Sequence, residues 1–271
     1  MNIFVFDIET IPDTNTGRKI YDLPTPLTDQ EVGEAMFTKR REQTGGSDFL
    51  PLHLHRIVAI SAVLKTKSHF KVWSLGDLQS SEKEIIQRFF AGIEKYTPTL
   101  VSWNGSTFDL PVLHYRALLH AVASPRYWEI GEEDNAFKWN NYLNRYHYRH
   151  TDLMDVLAAY QTRANAKLDE IAVMLGLPGK MGMSGNKVWD GYLNGEIEGI
   201  RNYCETDVLN TYLIYLRFRL IQGKLTEAEY QQQCDETIKH LQESKKPHLI
   251  QFAENIKNYR EAIHQPPSIP D

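Results

Sequence analysis

The chain of 271 residues contains only two cysteines, Cys204 and Cys234, and neither lies in a metal-like CxxC pair. A reducing cytoplasm is therefore the simplest compartment. No apolar run approaches the roughly 20 residues that a membrane span needs. The amino terminus leads directly into an apolar strand-like run, without a charged region and cleavage site, so no secretory leader is expected. Positive charge is not in surplus either: 30 Lys and Arg stand against 35 Asp and Glu, a net charge of −5. That balance does not advertise a nucleic-acid binder. It does not exclude one, because an enzyme that grips a few nucleotides needs a local positive field and not a basic pI. Internal repeats and low-complexity segments are absent too. What remains is a chain of ordinary globular composition, 42% hydrophobic and 24% charged, long enough for one large core or two modest ones.

The most informative stretch is MNIFVFDIET at Met1 to Thr10. Its front half has a branched or aromatic residue at nearly every position, as in a central strand covered on both faces. Alternation puts Ile3, Val5, Asp7 and Glu9 on one face and Phe4, Phe6 and Ile8 on the other. Two carboxylates then point the same way from the end of the strand. Burying such a pair is costly without a cation, and adjacent hard oxygen ligands suit Mg²⁺ or Mn²⁺. The other reading is a strand that runs out into solvent.

From Ile11 to about Leu54 the chain is polar and broken by Pro12, Pro24, Pro26, Gly45, Gly46 and Pro51. It reads as an insertion, about residues 13–54, that covers one side of the site, with a helix over Thr28 to Glu42 capped by Thr28 and Glu31. His53 and His55 are ligands or fillers. His55 to Thr66 and His69 to Leu75 form a hairpin, Ser81 to Tyr96 an amphipathic helix, Thr99 to Trp103 a strand, and Leu110 to Ala121 a helix. That order predicts a mixed sheet made of a meander and a crossover.

The turn after the fourth strand carries WNGSTFD, with Asp109 at the mouth of the next helix, where α/β sites collect. Asp109 is a site carboxylate or a helix N-cap, and Phe108 a core ring or a base-stacking one. Residues Ala136 to Tyr148 are rich in Tyr, Trp, Asn, His and Arg, able to stack on bases and touch phosphates. Tyr146 to Leu153 is predicted as the fifth strand and Met154 to Tyr160 as the helix after it. Asp152 between them is an additional acid or a structural hydrogen bonder. A short helix over Leu168 to Leu175 leads into the loop PGKMGMSGN, whose Lys180, with Lys187 just past it, is a substrate contact or part of a linker. A long helix from Glu196 to Ile221 follows. Tyr203 and Asp207 share a face on it with Ile200, Thr211 and Ile214, and an acid on a core-facing stripe needs a partner, for which a metal also held by Asp7 and Glu9 would serve. Residues 223–271 read as peripheral helices and a proline-rich tail, beside a main domain of residues 1–222.

An Asp-x-Glu on the first strand, an Asp at a strand-to-helix turn and a Tyr-x-x-x-Asp on a late helix, in that order, are a specific combination. FVFDIET, SWNGSTFDLPVL and YCETD resemble the DEDD superfamily of 3′-5′ exonucleases, and its tyrosine-bearing subgroup in particular, since the histidine subgroup would have His where this chain has Asn202. The wording is most similar to the proofreading domain of family-B DNA polymerases and its stand-alone relatives, over about Met1 to Leu220. The resemblance implies an RNase H-like α/β fold, a mixed five-stranded sheet flanked by helices with a C-terminal helical extension. It implies two divalent cations, Mg²⁺ or Mn²⁺, held by Asp7, Glu9, Asp109 and Asp207, an attacking water positioned by Tyr203, and a terminal nucleotide touched by Thr10, Asn104 and Phe108. The expected activity is release of nucleoside monophosphates from the 3′ end of single-stranded DNA. The alternatives are the same chemistry on RNA, or a non-catalytic nucleic-acid-binding module on this fold. Two departures stand out: the insertion is long for such a domain, and no polymerase follows, so the chain is expected to work alone or in a partner's complex.

Overall fold

The computed structural model describes residues 2–182 and 184–264. In chain order it runs β1 (Ile3–Pro12), α1 (Thr14–Ile20), α2 (Asp29–Thr44), β2 (His55–Lys65), β3 (Phe70–Ser74), α3 (Glu82–Tyr96), β4 (Thr99–Ser102), α4 (Asp109–His120) and α5 (Pro125–Trp128). It continues through β5 (His150–Asp152), α6 (Leu153–Leu157), α7 (Leu168–Met174), α8 (Val188–Leu193), α9 (Ile197–Ile221), α10 (Glu227–Gln242) and α11 (Pro247–His264). The five strands form one mixed sheet in the order β3-β2-β1-β4-β5. β3, β2 and β1 are the antiparallel meander, and β4 and β5 add in parallel through helical crossovers.

The alternation read from β1 divides the core. Phe4, Phe6 and Ile8 pack with Ile85, Phe89 and Ile93 of α3 and Val112 and Leu113 of α4. Val5 packs with Val63 and Val101 against Val208, Leu209 and Tyr212 of α9. α10 and α11 add Ile238, Leu241, Leu249, Phe252 and Ile256 to this second cluster. The layers are helix, sheet, helix, with α9 running across one face.

Several predicted elements need correction. The helix capped by Thr28 is present with its full capping box, but α1 ahead of it was not predicted; Asp13 starts it by accepting the Thr16 N–H. β5 begins at His150 and not at Tyr146. The reason is local: Asn141 accepts the N–H groups of Leu143 and Asn144, and Asn144 accepts that of Tyr146, so side chains take the backbone donors that a strand would have used. α6 starts at Leu153 and stops at Leu157, and Ala159 and Tyr160 leave it in the left-handed region. The insertion folds as α1 and α2 around Val32, Met36, Leu50 and Leu54. Its root is fixed by Arg116 of α4, buried between Asp13 and Glu82. The predicted proline-rich tail lies outside the described residues.

Candidate active site

β1 and β4 pair only as far as Val5 opposite Val101, so beyond that point the edge of β1 has no strand partner. The Ile8 N–H left there is taken by Asp109, whose Oδ1 accepts it at 3.1 Å. Asp109 is therefore not the N-cap of α4; that position is Phe108, which makes no side-chain capping bond. The turn that delivers Asp109 is tight. Asn104 has φ +66°, and a Cβ on Gly105 would come within 2.5 Å of the Ser102 Cβ, so only glycine fits. Asp152 holds the same turn by accepting the N–H groups of Asn104 and Ser106, both at 2.8 Å, and so is structural.

On the α9 side, Asp7 and Glu9 follow Val5 on one face of β1, and the β1–β2 ladder is bulged between Glu9 and Thr10. Bulges re-aim side chains beside functional sites. α9 turns Tyr203 and Asp207 toward this end, both buried, with the Tyr203 hydroxyl within hydrogen-bonding reach of the Asp207 carboxylate. Cys204 lies between them in sequence, and its buried thiol points at Asp7, 3.4 Å from the backbone oxygen and 3.6 Å from Oδ2. One ligand atom each from Asp7, Glu9 and Cys204 lie within 4.8 Å of one another.

The electrostatics follow from the burial. Desolvation, reinforced by the charges of Asp109, Glu9 and Asp207, holds the Asp7 pKa well above the usual carboxylate range; Glu9 is raised by desolvation and then by Asp207 and Asp109. Asp109 and Asp207 are each pushed up to about 7, burial being the main cause. Four carboxylates this close cannot all ionise near neutrality without a cation. Burial and the same negative field push up the Cys204 thiol and the Tyr203 phenol, so both stay protonated donors. The carboxylates offer hard oxygen ligands, which fit Mg²⁺ or Mn²⁺, and in the metal-free site the neutral thiol hydrogen-bonds to Asp7.

The positive charge that opposes this field belongs to Lys180, which lowers the pKa of both Glu9 and Asp207. Its loop is held by Asp169, which accepts the Lys180 N–H at 2.7 Å, and by Asn210, which donates to the Gly179 oxygen at 2.9 Å. Met183 of that loop lies outside the described residues. A cleft of about 730 Å³ opens beside Tyr203, lined also by Lys180, Lys187, Asn202, Thr206 and His248. On the far side, the half-buried ring of Phe108 meets His55 edge-on at 5.2 Å and the exposed Phe49 at 5.8 Å. His55 is a structural filler: its ring bonds Thr10 Oγ1 at 2.9 Å and the Leu50 oxygen at 3.1 Å.

The structure thus brings Asp7, Glu9, Asp109, Tyr203 and Asp207 to one end of the sheet, with Lys180 against them and Lys187 along the cleft. Thr10 and Phe108 are joined through His55, while Asn104 shapes the turn. Cys204 and Phe49 were missed. Cys204 stands inside YCETD beside Tyr203, and Phe49 next to Leu50 and Leu52 in the insertion, but their contacts to Asp7 and to Phe108 join residues far apart in sequence and left no local signal.

This mixed α/β sheet with acids gathered where β1 and β4 end is the architecture of an RNase H-like exonuclease. The model of a family described as predicted 3′-5′ exonucleases related to the exonuclease domain of PolB matches residues 47–256, and the chain belongs to that family. It is accordingly a hydrolase of nucleic acid, of a kind that uses divalent metals. The matched span includes Asp109, Tyr203 and Asp207 but begins after β1, so Asp7 and Glu9 fall before it. No curated protein matches the chain.

Proposed function

We propose that the chain is a metal-dependent 3′-5′ exonuclease of the tyrosine-bearing DEDD kind, which shortens single-stranded DNA from the 3′ end and releases nucleoside 5′-monophosphates. The observation that carries this reading is the convergence of Asp7, Glu9, Asp109 and Asp207, each raised in pKa by burial, with the Tyr203 hydroxyl against Asp207. These acids would hold two divalent ions, Mg²⁺ or Mn²⁺. Bound there, the ions lower the pKa of an attacking water and offset charge on the leaving 3′-oxygen.

The chain's own groups do the positioning. Tyr203, whose phenol stays protonated, orients the water by hydrogen bonding and is not a base. Water adds at phosphorus as the bond to the 3′-oxygen of the penultimate nucleotide breaks, and that oxygen leaves with a proton from solvent. Lys180 and Lys187 draw the phosphates into the cleft, and Phe108, Thr10 and Asn104 meet the terminal nucleotide. Kinship of the family with the PolB exonuclease domain favours DNA over RNA. We assign the catalytic unit to residues 1–222 and a peripheral extension to residues 223–271, whose helices α10 and α11 buttress α9. Digestion of 5′-labelled DNA and RNA strands tests the reading: DNA should shorten from its 3′ end only with metal, and faster than RNA.

A further inference from the structure

A second groove lies at the open edge of the sheet, away from the acids. β5 is the edge strand, and the turns before it leave Tyr146 63% and Tyr148 74% exposed. Together with Tyr160 and Phe218 they line a cavity of about 530 Å³ that has no lining residue in common with the cleft beside Tyr203. The rings are held in place. Tyr146 and Tyr160 meet edge to face at 4.8 Å, and the Arg145 guanidinium lies 5.8 Å from the first ring centre and 5.4 Å from the second. Arg145 is itself fixed by Asp155, with bonds of 2.6 Å and 3.1 Å. Tyr160 sits at φ +60° with Ala159 at +50°, a backbone that non-glycine residues adopt only where the surroundings impose it.

The charge of the groove is opposite to that of the chain. Arg219 and Lys224 line it, and among the described residues neither forms an ion pair. Its one lining carboxylate, Asp152, already accepts the N–H groups of Asn104, Ser106 and Asp155. Exposed aromatic faces beside unpaired cations match a polyanion that carries planar rings, that is, a nucleic acid strand whose bases are not paired. α9 spans the two sites: from Tyr203 to Phe218 it rises about 22 Å. A stacked strand, at about 3.4 Å per nucleotide, covers that distance in roughly six or seven nucleotides.

We propose that this groove is a second binding site for single-stranded nucleic acid, taking the strand on the 5′ side of the end that is cleaved; the choice of occupant rests on the function proposed above. The test separates binding from turnover. Affinity for a labelled strand of about sixteen nucleotides is measured in EDTA by fluorescence anisotropy, and hydrolysis of a dinucleotide is measured with Mg²⁺. The variants are the pair Tyr146→Ala with Tyr148→Ala, and the pair Arg219→Glu with Lys224→Glu. Each pair should weaken binding of the long strand about ten-fold or more and leave dinucleotide hydrolysis at the wild-type rate. Wild-type affinity in both pairs, an equal loss on dinucleotide and long strand, or no strand binding by the wild type would overturn the groove. A wild type that binds the strand, loses it in both pairs and hydrolyses nothing would support the groove while refuting the exonuclease.

Discussion

Asp7 and Glu9 stand two residues apart on β1, and their raised pKa values mean that the metal-free site is held together against its own charge. Removing one acid should therefore cost activity and not stability. Asp7→Ala or Asp207→Ala is expected to lose turnover by about 10²-fold or more while melting in EDTA no lower than the wild type; retained cleavage would contradict the ligand assignment. Tyr203→Phe should still bind metal but lose about 10²-fold in rate, and wild-type kinetics would deny the tyrosine its role. The pH dependence has a definite sign. Asp207 has an ordinary value of 3.8 and about 7 when folded, so its ionisation works against the fold: the penalty is absent below about pH 4, grows as the pH rises, and is complete above about 7. In EDTA, Asp207→Asn should thus gain melting temperature relative to the wild type across that window. A constant difference would mean that the carboxylate is not desolvated.

α9 carries the site on one face and its support on another. Glu205, between Cys204 and Asp207 in sequence, is 1% exposed and accepts the Ser74 N–H and hydroxyl, the Lys246 ammonium at 2.6 Å and the His248 ring at 2.9 Å. These bonds, opposing its desolvation, hold its pKa down at about 2, so its contribution is fully present above about pH 4.5 and is lost as the pH falls toward 2. Glu205→Ala should destabilise by about 2 kcal/mol at neutral pH, since it orphans a buried N–H and frees a held ammonium; an unchanged melting temperature would contradict this. Nothing local in YCETD marked Glu205 out, because its partners lie 41 to 131 residues away. By contrast Tyr203 and Asp207 were legible from their four-residue spacing, and Asp7 and Glu9 from strand alternation. β5 was overextended for the opposite reason: its tyrosines have strand propensity, and the Asn side chains that override it act through turn geometry, which propensity does not report.

Across the whole molecule, the five strands, their meander and crossovers, and the end of the sheet where the acids meet were all readable from periodicity and turn residues. The α1–α2 insertion was read as a cover, but its anchorage by Arg116 and the placing of Phe49 against Phe108 depend on contacts across the fold. The whole chain should respond to metal as a ligand-linked system. Mg²⁺ at 100-fold over its dissociation constant adds about 2.7 kcal/mol, which for a chain of this size raises the melting temperature by roughly 5–10 °C, and Asp7→Ala should abolish that gain.

The most direct test of the central claim is the product ladder from a 5′-labelled single-stranded DNA and its RNA counterpart, each with Mg²⁺, Mn²⁺ or EDTA. Stepwise shortening from the 3′ end that requires metal, is faster on DNA and disappears in Asp207→Ala is the predicted result. An intact strand in every condition, from folded wild-type protein, would contradict it.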